Sequence, residues 1–111
     1  MQGSPLEIRS ERQGETGRVT VVGEIDIATA PQVQDAVEAM LAERVGELLI
    51  DLRDLAFIDS SGLRLLIALN NRATADGWKL SLTRPSDRSM SVFQITGADE
   101  NLPFVEEPST Q

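Results

Sequence analysis

Glu47-Leu48-Leu49-Ile50-Asp51-Leu52, then Arg53-Asp54-Leu55-Ala56-Phe57-Ile58, then Asp59-Ser60-Ser61-Gly62, then Leu63 onward to Ala73: the reading of this stretch decides the fold. The first block is a short apolar run, which fits a buried strand better than a helix. From Leu63 the apolar residues recur at helical spacing. Leu63, Leu66, Ile67 and Asn70 share a stripe that Leu65 and Leu69 widen into a broad buried face. Asp76-Gly77 stops this helix, and Arg53 to Ile58 is expected to be a connection. A buried strand followed by a buried helix is the first part of a parallel crossover unit.

The same alternation extends to both sides. Upstream, Leu6-Glu7-Ile8-Arg9 and Arg18-Val19-Thr20-Val21-Val22 alternate as strands, and Gly14 to Gly17 between them has the composition of a turn, so the pair predicts a hairpin. A loop, Gly23 to Ala28, follows, with Ile25 and Ile27 as its apolar anchors. Thr29 and Gln32 have capping-box spacing, Pro31 suits a first helical turn, and Val33, Val37, Met40 and Leu41 define one face of a helix ending by Gly46. Downstream, Trp78 to Leu82 is a strand, Pro85-Ser86-Asp87 starts a short helix that closes at Gly97, and Pro103-Phe104-Val105 is an edge strand. The expected fold is α/β. It has a small mixed sheet of about four to five strands, with a largely parallel core and an N-terminal hairpin, covered by three to four helices.

With 111 residues, 41% apolar and 25% charged, the chain lies in the range of one ordinary globular domain. That domain is expected over 6–105, flanked by an N-terminal tail, 1–5, and a flexible C-terminal tail, 106–111. Ten basic and 18 acidic residues give a net charge of −8, which opposes nucleic-acid binding because counterion release needs a basic surface. No run approaches the roughly 20 apolar residues that cross a bilayer, so membrane insertion is not expected, and the cytoplasm is the expected location. Cysteine and histidine are absent. Thiol chemistry and thiolate metal sites are thereby excluded, and the usual general base is missing. Gly-x-Ser-x-Gly and the glycine-rich phosphate loops are missing too, so an enzyme is not expected, nor a metal or cofactor.

Chemistry concentrates at Asp59-Ser60-Ser61-Gly62. Asp59 or Ser60 suffices to cap the helix, yet three polar side chains precede the small Gly62, which is expected to open space beside Ser61. Helix-start donors favour an added negative charge, while Asp59 repels it. That balance suits a reversible phosphate better than a permanent ion. Glu24 and Asp26 form a second polar cluster. Both loops leave strands at their C-terminal ends, where open α/β sheets place ligands.

These residues carry a resemblance. Gly23-Glu24-Ile25-Asp26, Thr29-Ala30-Pro31 and Leu52-x-x-Leu55-x-Phe57-Ile58-Asp59-Ser60-Ser61-Gly62-Leu63 are similar to the STAS domain, and more narrowly to the bacterial anti-sigma factor antagonists; the likeness runs from about Leu6 to Val105. The resemblance implies a regulatory module that binds an anti-sigma factor serine kinase when unphosphorylated. It releases the kinase when phosphorylated, and a phosphatase restores it. It places the phosphate on Ser61, with Ser60 as the alternative. The contact surface it implies comprises Glu24, Asp26, Thr29, Asp59, Ser60, Gly62 and Leu63. The same domain also serves as a scaffold in stress-signalling assemblies and lipid-transport complexes, without such a switch. A monomer or weak dimer is expected.

Overall fold

The computed structural model describes residues 6–106. The chain runs β1 (Leu6–Gln13), β2 (Thr16–Ile25), α1 (Ala30–Ala42), β3 (Glu47–Asp51), β4 (Leu55–Ile58), α2 (Ser60–Asp76), β5 (Lys79–Thr83), α3 (Asp87–Thr96), a single 3-10 turn (Ala98–Glu100) and β6 (Phe104–Val105). The tail positions 1–5 and 107–111 lie outside the described residues, and Glu106 is exposed.

β1 and β2 form the predicted antiparallel hairpin, with Leu6 opposite Gly23 and Gln13 opposite Thr16. Its turn is shorter than expected. Gly17 belongs to β2, where a Cβ would lie 2.4 Å from Met40 Cγ, so glycine there lets α1 cross close to the strand. The sheet then runs β1-β2-β3-β5-β6, with every pairing after the hairpin parallel.

The sheet has six strands rather than four to five, because Leu55–Ile58, expected to be a connection, is a strand. It pairs with the last residues of β2 in parallel, Glu24 against Phe57 and Ile25 against Ile58. Long β2 therefore carries β3 on its first half and β4 on its second. The join is irregular: the register steps from Gly23–Leu55 to Glu24–Phe57 and leaves Ala56 unmatched. Gly23 takes a φ of 115° there, a value that a side chain would strain. The segment expected to be a loop from Gly23 thus remains strand to Ile25.

One face of the sheet holds the core. Val19 and Val21 of β2, Leu48 and Ile50 of β3, and Leu80 and Leu82 of β5 pack under Val33, Val37 and Met40 of α1 and Leu66, Leu69 and Ala73 of α2. Each such large aliphatic side chain contributes about 1.5–3 kcal/mol on burial. The buried stripe of α2 is Gly62, Leu66, Leu69 and Ala73 with Leu63 beside it; Ile67 faces out at 38% exposure. The predicted stripe was rotated, because Gly62 and not Ile67 meets the sheet. α3 is capped by Ser86 and tied to β4 by Ser89 Oγ, which donates to the Leu55 carbonyl at 3.0 Å. Phe93 of α3 meets Phe104 of β6 edge to face at 5.3 Å.

Candidate functional site

Because β2 and β4 are parallel neighbours, the loops that follow them open on the same edge of the sheet. The backbone joins them directly: Asp59 N–H donates to the Ile25 carbonyl at 3.1 Å. Gly62 completes the junction. An added Cβ would lie 2.5 Å from Ile58 Cγ1 and 2.9 Å from Ile25 Cγ2, so the missing side chain lets the start of α2 seat on the ends of both strands. The space beside Ser61 that Gly62 was expected to open is filled by these isoleucines.

Asp59 is the cap of α2. Its Oδ1 accepts from Ser61 N–H at 2.8 Å and from Gly62 N–H at 3.3 Å. The negative carboxylate thus already occupies the donors that a helix start offers to an anion. Ser60 is exposed and Ser61 half-buried. Among the described residues nothing hydrogen-bonds the Ser61 hydroxyl, so its oxygen is not committed to the fold.

The loop after β2 is fixed by its own side chains. Asp26 Oδ1 accepts from Ala28 N–H at 2.9 Å and Thr29 N–H at 3.0 Å. Thr29 Oγ1 accepts from Asp26 N–H at 2.8 Å and donates to the Glu24 carbonyl at 2.9 Å. The capping box expected from Thr29 and Gln32 is not formed: the Thr29 side chain makes no cap to α1 because its hydroxyl is spent inside this loop. Of the two isoleucines expected as anchors, Ile25 is fully buried, whereas Ile27 is 78% exposed beside Asp26. The strand ends at Ile25, so Ile27 lies in the turn beyond the sheet and has no layer to pack into.

The expected contact residues therefore divide. Glu24, Asp26, Asp59, Ser60 and Ser61 reach the surface. Thr29, Gly62 and Leu63 are buried and shape the loops from behind. Two apolar groups join the exposed set: Ile27, expected to be an anchor, and Phe57, for which no surface role was expected and which is 46% exposed and paired in register with Glu24. Among the described residues no basic side chain forms an ion pair with Glu24, Asp26 or Asp59. Among the described residues no three carboxylates converge as a metal site would require, and no helix is long and apolar enough to cross a membrane.

A mixed, mostly parallel sheet with a helix starting at Asp-Ser-Ser-Gly beside an acidic loop is the architecture of a small α/β domain class. The family described as "Mlab, STAS domain" matches residues 8–106, and the chain belongs to the STAS domain family. Within that family it stands with the anti-sigma factor antagonists. The anti-sigma-B factor antagonist of Listeria monocytogenes serovar 1/2a is 34% identical over 95 residues, covering 86% of this chain and 82% of the relative. That of Bacillus subtilis (strain 168) is 34% identical over 80 residues, 72% of each chain. The crystal structure of an anti-sigma factor antagonist from Mycobacterium paratuberculosis superposes with a TM-score of 0.77 at 27% identity, covering 94% of this chain and 86% of that one.

Proposed function

We propose that this chain is an anti-sigma factor antagonist switched by phosphorylation of Ser61. Unphosphorylated, it binds a cognate anti-sigma factor that is also a serine kinase and so frees a sigma factor. Phosphorylated, it lets go, and a phosphatase resets it. The observation that carries this reading is the uncommitted Ser61 hydroxyl at the start of α2, beside carboxylates that form no ion pair among the described residues. A phosphate at that oxygen adds about −1.5 to −2 charges. Asp59 already holds the Ser61 and Gly62 N–H groups, so those helix-start donors are not available to the new charge, which is presented to whatever docks there.

A partner seated over Ser61 is built to meet a neutral hydroxyl. Mispairing a charge in such an interface costs about 2–5 kcal/mol, a loss of roughly 30-fold or more in affinity. No refolding is required. The kinase supplies ATP and Mg²⁺, so the chain itself needs no cofactor.

The test is phosphate uptake and binding with each purified serine-kinase anti-sigma factor of the source organism. Ser61→Ala is expected to abolish uptake and retain binding, and Ser61→Asp to weaken binding by roughly 30-fold or more. Equal uptake by wild type and Ser61→Ala would overturn the site and direct attention to Ser60. A stable complex indifferent to ATP would instead identify a scaffold.

A further inference from the structure

The two arginines of α2 are treated differently by the fold. Most basic side chains of this acidic chain are engaged: Arg9, Arg12, Arg18, Arg53, Arg72 and Lys79 all form ion pairs. Arg72 of α2 holds Glu38 of α1 and, four residues on, Asp76 at 3.7 Å. Arg64, earlier on the same helix, is exposed and has no hydrogen bond or ion pair among the described residues. Its neighbours three and four positions away on the helix surface are Ser60, Ser61, Ile67 and Ala68. None of them is charged, and only the two serines can become so.

We propose that Arg64 is the counter-ion of phosphorylated Ser61, an assignment that rests on Ser61 being the kinase's target. The kinase moves the γ-phosphoryl group of ATP to Ser61 Oγ; the hydroxyl loses its proton and ADP leaves. Residues three apart on a helix have Cβ atoms about 5–6 Å apart, and helical side chains lean toward the N-terminus. A phosphate on Ser61 is thereby within reach of the Arg64 guanidinium, whose planar fork matches two phosphate oxygens at once. The order is the favourable one, with the anion N-terminal to the cation. The charged groups on the loops beside Ser61 are Glu24, Asp26 and Asp59, all acidic, and on α1 Asp35 is acidic while Glu38 is taken by Arg72. Arg64 is the cation that α2 itself sets against them.

The pair cancels about one of the −1.5 to −2 charges that the phosphate adds. A net negative charge still faces the partner, so release stands. Phosphorylation then changes the docking surface twice, because it adds an anion and withdraws an exposed cation.

The test uses the full chain with phosphoserine installed at position 61 during translation, so that no kinase is needed. The phosphate is titrated by 31P NMR through its second ionisation, near pH 6. Arg64→Ala is expected to raise that pKa by about 0.3–0.5, the size of a charge-assisted pair on a helix surface. Arg64→Lys, which keeps the charge and loses the fork, is expected to raise it by less. Arg88→Ala, the removal of an exposed arginine on α3, is expected to leave it unchanged. Without phosphate, wild type and Arg64→Ala are expected to melt at the same temperature; with phosphate, Arg64→Ala is expected to melt lower. A phosphate pKa that Arg64→Ala does not move overturns the role of Arg64 and leaves Ser61 as the target. An equal rise with Arg88→Ala overturns it too, since the effect is then one of net charge. Equal kinase uptake by wild type and Ser61→Ala overturns the target, and the role of Arg64 with it.

Discussion

Two aspartates follow the same pattern in sequence and serve opposite ends. Asp51 ends β3 and Asp59 follows β4, both at the C-terminal edge of a parallel strand. Asp51 is 3% exposed and saturated: Arg18, Arg53 and Thr83 all bond its carboxylate, and Thr83 Oγ1 in turn accepts from Leu52 N–H at 2.7 Å. Asp59 has only backbone N–H groups from its own helix. The edge is therefore divided. In its β3–β5 half the carboxylate is paired from within. Its β2–β4 half carries Glu24, Asp26 and Asp59, which form no ion pair among the described residues, and the serines lie there.

The largest effect is expected on the paired half. Burial by itself would raise the Asp51 pKa, but hydrogen bonds from the Arg53 side chain and backbone, from Arg18 and from Thr83 hold it well below the usual carboxylate range. Asp51→Ala is expected to cost about 2–4 kcal/mol, near the lower part of the range for breaking a buried pair, because Arg53 is half exposed and rehydrates. The depressed pKa fixes the pH dependence. The carboxylate's stabilisation is in full above its unfolded value of about 3.9 and is lost as pH falls from there through the folded value. Urea denaturation of both proteins should show a constant gap from about pH 5 to 8 that narrows below about pH 4. A gap of the same size at low pH would mean that packing, and not charge, is what Asp51 contributes. Ser61 phosphorylation is expected to persist in the folded fraction.

Gly62→Ala probes the seat of α2 on β2 and β4 within the open half. The added methyl meets Ile58 and Ile25 at distances where something must shift, and overpacking of this kind costs about 1–3 kcal/mol. The start of α2 must lift from the sheet and carry Ser61 with it. Phosphate uptake should fall along with the melting temperature. A variant that loses stability yet takes up phosphate at the wild-type rate would show that the position of the helix start does not matter to the kinase.

How much of this was legible beforehand depends on the range of the contacts involved. The strand–helix alternation and the hairpin show in periodicity, which is local. The start of α2 shows in Asp59-Ser60-Ser61-Gly62 because a cap is a local motif. β4 escaped because Ala56 and Phe57 both face solvent and the register skips Ala56, so no alternation survives over so short a strand. The Asp51 cluster escaped because Arg18 and Thr83 lie 33 and 32 positions away. In an acidic chain one more aspartate carries no signal of its own. Gly62 was legible as small but was assigned the wrong neighbour, since its contact with Ile25 exists only after β2 and β4 pair.

The smallest effect is expected at Asp26, where charge and structure separate. Its Oδ1 holds two backbone N–H groups of the loop, a task the amide oxygen of asparagine performs equally well. Asp26→Asn should leave the melting temperature unchanged. Asp26→Ala leaves those donors without their partner and should cost about 1 kcal/mol, freeing the turn that displays Ile27. The two substitutions remove the same charge, so they differ only in the loop. If the open half works through its charge, both variants should slow phosphorylation of Ser61 to a similar degree. If it works through the fixed shape of the loop, Asp26→Asn should retain the wild-type rate and Asp26→Ala should lose it. The first outcome would uphold the contrast with the neutralised Asp51. The second would make Asp26 a structural residue of the same kind as Asp51, and the division of the edge would then rest on Asp59 and Glu24 alone.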